Sequence, residues 1–438
     1  MVIGGGVTGL SLASLLVDVG CFVEVFERTP HVGGRARVTQ RDGFTLDWGI
    51  HLVRFGKKSA LAETLRRTQG PGDWPVRYVD VGPSHVYDEC RDRWDVFPTG
   101  IIGFLKTKMA SKWSLLRALS KLRRLRLPDA LATPVAEFLD REGIGGGARK
   151  FLELATASMQ VCPFYERASA GELKRSFDHV LAARKSVTYP EGGWAGVFVR
   201  LLNKVESGGR GAVRVGAKVR RVVVDEGVAT GVVVDLKGDS KRVDADLVVC
   251  ATPVQKLFDL VDPADCDDPA FVDKCNNLRP TAGVSLDIAL DEPVHEGTGL
   301  TYFRDPPCFG VFTSNLDPSL APPGKQLFTL FCPTEVATAK SPPERIKVLK
   351  RLEDLAFHAF RGMEENVAFT RPLFLPVVDG AEVAVDQYRE VRPGFSIPGV
   401  SNLVLVGDGL AAPGAGGDVG HNAVWEAFRV VEKIGGKL

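Results

Sequence analysis

The sequence predicts an α/β protein, and three observations carry that expectation. An apolar run, Met1-Val2-Ile3, opens onto Gly4-Gly5-Gly6-Val7-Thr8-Gly9. A helical pattern of Leu10, Leu12, Ala13, Leu15, Leu16 and Val17 follows to about Gly20, then a second apolar run, Phe22 to Phe26, that stops at Glu27. Near the other end the same order returns: Asn402-Leu403-Val404-Leu405-Val406 runs into Gly407-Asp408-Gly409, a glycine-rich turn over 413–420 and a helix to about Lys433. Strand, glycine turn and helix in that order are the unit of doubly wound α/β sheets.

Each part of the first unit has a chemical use. Gly4 permits a tight turn, Gly6 lets backbone approach a pyrophosphate, and Gly9 allows close helix–strand packing. The amides of Val7 and Thr8 at the helix start supply partial positive charge for phosphates. Glu27, 23 residues after Gly4, is placed to accept hydrogen bonds from ribose hydroxyls. A Gly-x-Gly-x-x-Gly alone is weak; with strand, helix and acid in place it predicts dinucleotide binding. The first strand is three residues against a usual 5–6, as expected if the natural start lies a few residues upstream.

Composition bounds the rest. The chain has 438 residues, 45% of them hydrophobic, and 55 Lys+Arg against 54 Asp+Glu. That supports a large core and argues against nucleic acid, which calls for a basic surface. Glycine is over-represented at 47 residues, without the Gly-X-Y period of collagen. No leader precedes Gly4 and no run of 18 apolar residues occurs, so a cytoplasmic protein without a transmembrane helix is expected. The eight cysteines show no metal-ligand spacing and read as reduced thiols; no metal is expected.

Beyond Glu27-Arg28 the chain reads Thr29-Pro30-His31-Val32-Gly33-Gly34-Arg35, a Gly-Gly turn followed by a cation suited to a pyrophosphate. Asp47-Trp48-Gly49-Ile50-His51 follows, and Tyr189-Pro190-Glu191-Gly192-Gly193-Trp194 opens a later helical run to Val205. Strands are expected over 212–224 and 228–236, then Ala245 to Pro253. In these segments the chain resembles the flavin-dependent amine oxidase and phytoene desaturase superfamily. The resemblance implies non-covalent FAD; no cysteine lies in the carboxyl segment to attach it. It implies that Glu27, with Arg28 beside it, meets the ribose, and that Gly33, Gly34 and Arg35 lie by the diphosphate. Gly49, Ile50 and His51 pass the isoalloxazine ring. Val219 reads the adenine, and Ala251 belongs to the Asp-x-x-Val-x-Ala-x-Pro return. Gly407 and Asp408 bond the ribityl or diphosphate, and Val419 and Gly420 open the last helix at the flavin N1/C2=O edge.

The resemblance is discontinuous, which implies a Rossmann-like FAD-binding domain of three-layer ββα type from 1–75, 187–260 and 395–438. An α+β substrate domain from 76–186 and 261–394 interleaves with it. No second glycine fingerprint for a nicotinamide cofactor is seen, so the electron acceptor is expected to be oxygen, a quinone or a protein.

In the first insert, Ile102, Leu105, Met109, Trp113, Leu116, Leu119 and Leu122 recur at helical spacing among eight cations, with no acid before Asp129. A basic amphipathic helix over 101–126 suits either peripheral contact with an anionic membrane or the lid of a pocket. In the second, 311–325 reads as a loop similar to the Ser-Asn-x-Asp-x-x-x-Ala-Pro-x-Gly segment of phytoene desaturase-like enzymes. The expected activity is hydride transfer from a lipophilic, isoprenoid-like substrate to flavin N5. His51, Asp418 and His421 are candidates for handling the proton. Asp418, His421 and Asn422 depart from the small or apolar residues usual there, which speaks against a pure hydrocarbon. A flavin amine oxidase is one alternative, although Gly417 to Ala423 holds no Tyr or Phe for an aromatic cage. A non-catalytic lipid escort on the same fold is the other.

Overall fold

The structure is a computed structural model that describes residues 1–70, 76–183, 187–236 and 238–435; the expected boundaries at 75 and 186 lie outside the described residues. Five strands form a parallel sheet in the order Gly211–Val215, Val23–Glu27, Val2–Ile3, Val248–Cys250, Val400–Leu405. Ile3 pairs with Phe26 on one side and Cys250 on the other, so chain start, middle and end meet at one line.

Strand alternation sorts the core into two faces. Val2, Val25, Val249 and Val404 pack with Leu10, Leu12 and Leu15 of the helix Val7–Asp18 and with Ala423 and Phe428 of the helix Asp418–Gly435. Ile3, Phe26, Cys250 and Leu405 face Val219, Val232 and Val234 of an antiparallel meander. Helices, parallel sheet and meander are the three layers expected.

Three local expectations need correction. The strand expected over 212–224 is two, Gly211–Val215 and Lys218–Asp225, because Gly216 turns the chain at φ +65°. A further strand, Asp239–Asp244, completes the meander. The loop expected over 311–325 begins within the strand Pro307–Phe312 and contains a helical turn, Thr313–Leu316.

A seven-stranded sheet runs Val367–Leu375, Ala282–Leu290, Gln326–Thr334, Pro307–Phe312, Gly299–Arg304, Gly82–Asp88, Arg93–Val96. Val284, Leu286 and Ile288 face Leu352 and Leu355 of the helix Pro342–Ala359. Tyr302, Phe309 and Val311 turn the other way, toward Phe151 and Leu154 of the helix Gly146–Met159.

The basic helix expected over 101–126 is broken. Gly100–Lys106 and Lys112–Arg123 are separate helices, and Ser111 caps the second by accepting from Ser114 N. Its buried residues are Leu115, Ala118 and Leu122, so only the far end of the expected stripe packs inward: Leu122 is buried and Leu119 half-buried, while Trp113 and Leu116 point to solvent.

Candidate functional site

The first glycine turn sits where the parallel strands end. Gly4 has φ +106° and donates to Phe26 O at 2.8 Å. A Cβ on Gly9 would lie 2.1 Å from Gly4 O, so only glycine lets the helix start this close to the strand. At Gly6, by contrast, a Cβ would meet nothing within 4 Å. No side chain caps this helix and no acid lies in its first turn, so its leading amides face the space beyond Gly6. The Gly33-Gly34 turn lies alongside: Gly33 N donates to Gly5 O at 2.9 Å, and Gly34 approaches the Gly6 Cα.

Glu27 ends its strand 7% exposed. One carboxylate oxygen accepts from Gly5 N and the other from Thr29 N and Oγ1, each at 2.8 Å. Ala217 N donates to Glu27 O, which brings the start of the Lys218–Asp225 strand, with Val219, beside it. Ala251 lies under the first turn, with its O 3.2 Å from the Cβ position of Gly4. Arg28, next along the chain, is exposed.

Arg35 and Asp408, 373 positions apart, form a two-pronged ion pair at 2.7 and 2.8 Å. Arg35 also donates to Val378 O, and Gly380 N donates to Asp408, both at 2.8 Å. Burial alone would raise the Asp408 carboxyl; the Arg35 charge and these hydrogen bonds outweigh it and hold it below its ordinary value. The two motifs carrying these residues gave no sign that they pair.

Asp47 to His51 is locked from behind. Tyr189 OH donates to Asp47 Oδ2 at 2.5 Å, and Arg371 bonds Asp47 O while pairing with Asp287 and Thr39. Burial pushes the Asp47 carboxyl up to about 7. Gly49 turns at φ +103°, with Ile50 and His51 beyond it. His51 Nε2 lies 3.1 Å from both Arg35 O and Trp48 O, so this nitrogen carries the proton and donates to them. Trp194 Nε1 donates to His51 O at 2.7 Å.

The last helix starts against the first: a Cβ on Gly420 would lie 3.1 Å from Thr8 Cγ2. Val419 N donates to Gly416 O. Asp418 and His421, one turn apart, are 6% and 7% exposed. Burial raises Asp418 to about 6 and lowers His421 to about 4. His421 stacks on Trp194 at 6.2 Å, and its Nδ1 has no partner among the described residues. Asn422 donates to Asp418 Oδ2 at 2.9 Å and to Pro413 O.

Two further polar residues stand here that no sequence motif marks. Asp379 is 7% exposed, bonded to Thr281, and raised to about 6 by burial. Arg54 bonds Met159 O at 2.6 Å, and burial lowers its guanidinium. Neither sits in a motif; the Asp379-Gly380 turn signal is too common to have singled one out.

These residues fit an FAD. Open space at Gly6 and Gly407, unpaired helix-start amides, a buried carboxylate at the end of the second strand and the Arg35 cation form a cradle that added Cβ atoms would fill. Among the described residues no group of His, Cys, Asp and Glu could hold a metal, and no helix is long and apolar enough to cross a membrane.

Known proteins share the whole architecture. An oxidoreductase from Methanosarcina mazei superposes with a TM-score of 0.77 at 22% identity, over 98% of this chain and 99% of its own. A putrescine oxidase variant superposes with a TM-score of 0.72 at 18% identity, over 100% and 98%. In sequence, a 4,4'-diapophytoene desaturase from Staphylococcus haemolyticus is 23% identical over 83% of this chain and 81% of its own. The family model of flavin containing amine oxidoreductases matches residues 7–417, and the chain is an FAD-dependent oxidoreductase of that family.

Proposed function

We propose that this oxidoreductase is of the desaturase or dehydrogenase type and acts on a lipophilic, isoprenoid-like molecule. The observation that carries the substrate class is the surface of the helices Gly100–Lys106 and Lys112–Arg123. Ile101 (80% exposed), Trp113 (78%), Ile102, Leu105 and Leu116 stand in solvent, with Lys106, Lys108 and Arg117 near them in sequence. Exposed apolar groups among cations suit an anionic bilayer, from which a lipophilic substrate would be drawn. The similarity to a diapophytoene desaturase over most of both chains supports the same reading.

When bound, FAD would supply the two-electron sink for a hydride leaving a substrate carbon. The residues around it divide the work. In the proposed assignment Gly4, Gly6, Gly9 and the amides of Val7 and Thr8 seat the diphosphate, with Gly33, Gly34 and Arg35 opposite; Glu27 and Arg28 meet the ribose and Val219 the adenine. Ala251 backs the first turn, and Gly407 and Asp408 border the ribityl chain. Gly49 and Ile50 border the ring. The start of the last helix at Val419 and Gly420 would border the ring, where its dipole would favour developing negative charge. His51 acts as a positioning residue, since its proton-bearing nitrogen is engaged by two carbonyls. Asp418 is the proposed proton acceptor and His421 its neighbour on the same helix face. The strands of the two large sheets support the division into 1–75, 187–260 and 395–438 against 76–186 and 261–394.

The amine-oxidase alternative needs an aromatic cage beside the last loop; the rings there, Trp194 and His421, stack on each other instead. The test is anaerobic mixing of the purified holoprotein with C15–C40 isoprenoids and with aliphatic amines. Bleaching of the flavin band by an isoprenoid supports the reading; bleaching by amines alone sinks it.

A further inference from the structure

We propose that Arg54, Asp379 and Asp418 form a polar subsite that takes a neutral oxygen function, a hydroxyl or carbonyl, on an otherwise apolar substrate. The inference rests on the lipophilic reading above and narrows it.

The three groups come from distant segments and meet at one turn. Arg54 ends the strand Val53–Arg54 and spends one hydrogen bond on Met159 O. A Cβ on Gly416 would lie 3.7 Å from that same carbonyl and 3.9 Å from Asp379 Oδ2. A Cβ on Gly414, two residues earlier, would lie 2.7 Å from Asp418 Oδ2. Asp379 approaches from the chain that follows the strand Val367–Leu375, and Asp418 from the start of the last helix. From the seven-stranded sheet Tyr302 lies close enough to feel the Arg54 charge.

Arg54 interacts electrostatically with both carboxylates, yet among the described residues none lies within 4.0 Å of it. A guanidinium has five donors, so most of this one's capacity is left for something else. The outer pair nearby is closed by contrast: Arg35 is held by both oxygens of Asp408.

Charge and hydrogen bonding select the guest. A hydrocarbon would strip water from three polar groups and return nothing. An anionic head would face two carboxylates, and an ammonium would face Arg54. A hydroxyl donates to a carboxylate and accepts from the guanidinium at once, and a carbonyl accepts from the guanidinium.

The test compares two probes with one carbon skeleton, farnesol and β-farnesene, titrated into the FAD-loaded protein and followed by perturbation of the flavin spectrum. Wild type is expected to bind farnesol roughly ten- to a hundredfold more tightly, the range of one or two buried hydrogen bonds. R54M and D379N, checked for retained FAD and unchanged melting, should each cut that preference to about threefold or less, and R54K should keep part of it. Equal binding of the two probes by wild type overturns the subsite and leaves the lipophilic reading standing. So does a preference that both variants retain, or tighter binding of farnesylamine than of farnesol. Failure of both probes to bind overturns the lipophilic reading and the subsite together.

Discussion

Two glycines three residues apart, Gly6 and Gly9, separate what folds the chain from what holds its cofactor. Gly6 has φ −76° and ψ 177°, which alanine adopts freely, and its Cβ would meet nothing within 4 Å. Losing a glycine at a helix N-cap costs up to about 1 kcal/mol. Reduced freedom of the unfolded chain returns about 0.4–1 kcal/mol. Gly6→Ala should therefore leave the apoprotein's stability within about 1 kcal/mol of wild type. Its methyl group, however, fills space assigned to the diphosphate, and overpacking there costs about 1–3 kcal/mol, or roughly a ten- to hundredfold loss of FAD affinity. Gly9→Ala is different. Its Cβ would sit 2.1 Å from a backbone oxygen, Gly4 O, and 3.1 Å from Ala251 Cβ, so no rotamer relieves the clash and the helix must shift. It should lower both apoprotein melting and FAD content. The assays are thermal unfolding of the apoprotein and calorimetric titration with FAD. A Gly6→Ala apoprotein that melts as low as Gly9→Ala, or that binds FAD like wild type, would contradict this division of roles.

Other consequences follow from charge. The Asp47 carboxyl is raised to about 7 in the fold, so the folded chain holds its proton longer than the unfolded one. Its ionisation therefore withdraws stability as pH rises from about 4 to 7. Asp47→Asn should gain on wild type in melting temperature between pH 5 and pH 8; a gap that narrows instead contradicts the assignment. Asp408 has the opposite sign: held below its ordinary value by Arg35, it stabilises the fold above its unfolded pKa, and that contribution disappears only under strong acid. Asp408→Asn should thus be destabilised at neutral pH, with the gap to wild type closing as pH falls below the ordinary carboxylate range. Replacing Ile101, Ile102 and Trp113 by Ser should abolish co-sedimentation with phosphatidylserine vesicles while leaving FAD content unchanged; unchanged sedimentation would remove the membrane from the account. Asp418→Asn should lower kcat more than it weakens substrate binding and remove an acidic limb near pH 6 from the rate profile. An unchanged limb would assign the proton to another group.

Much of the cofactor half was legible because its signals are local. The turn at Gly4–Gly9 needs its glycines for reasons of contact and φ, and those needs show as residue types at fixed spacing. The alternating faces of Val2/Ile3 and Val404/Leu405 likewise follow from a period of two. What did not show depends on distant segments meeting. Nothing near Arg35 in the sequence announces Asp408, and nothing near Arg54 announces Asp379. The helix at 101–126 failed for a local reason: its apolar positions satisfy a helical period in more than one phase. Burial of Leu115, Ala118 and Leu122 against the helices behind them, not periodicity, selected the phase.

The function proposed is electron transfer from a lipophilic substrate to one FAD held non-covalently among the glycine turns. Its most direct test is the visible spectrum of the purified chain, read before and after acid precipitation and after anaerobic addition of an isoprenoid substrate. The expected result is a flavin band with one FAD per chain, released to the supernatant by acid and bleached by the substrate. A colourless chain with no extractable FAD, or a flavin that stays with the precipitate, would contradict it.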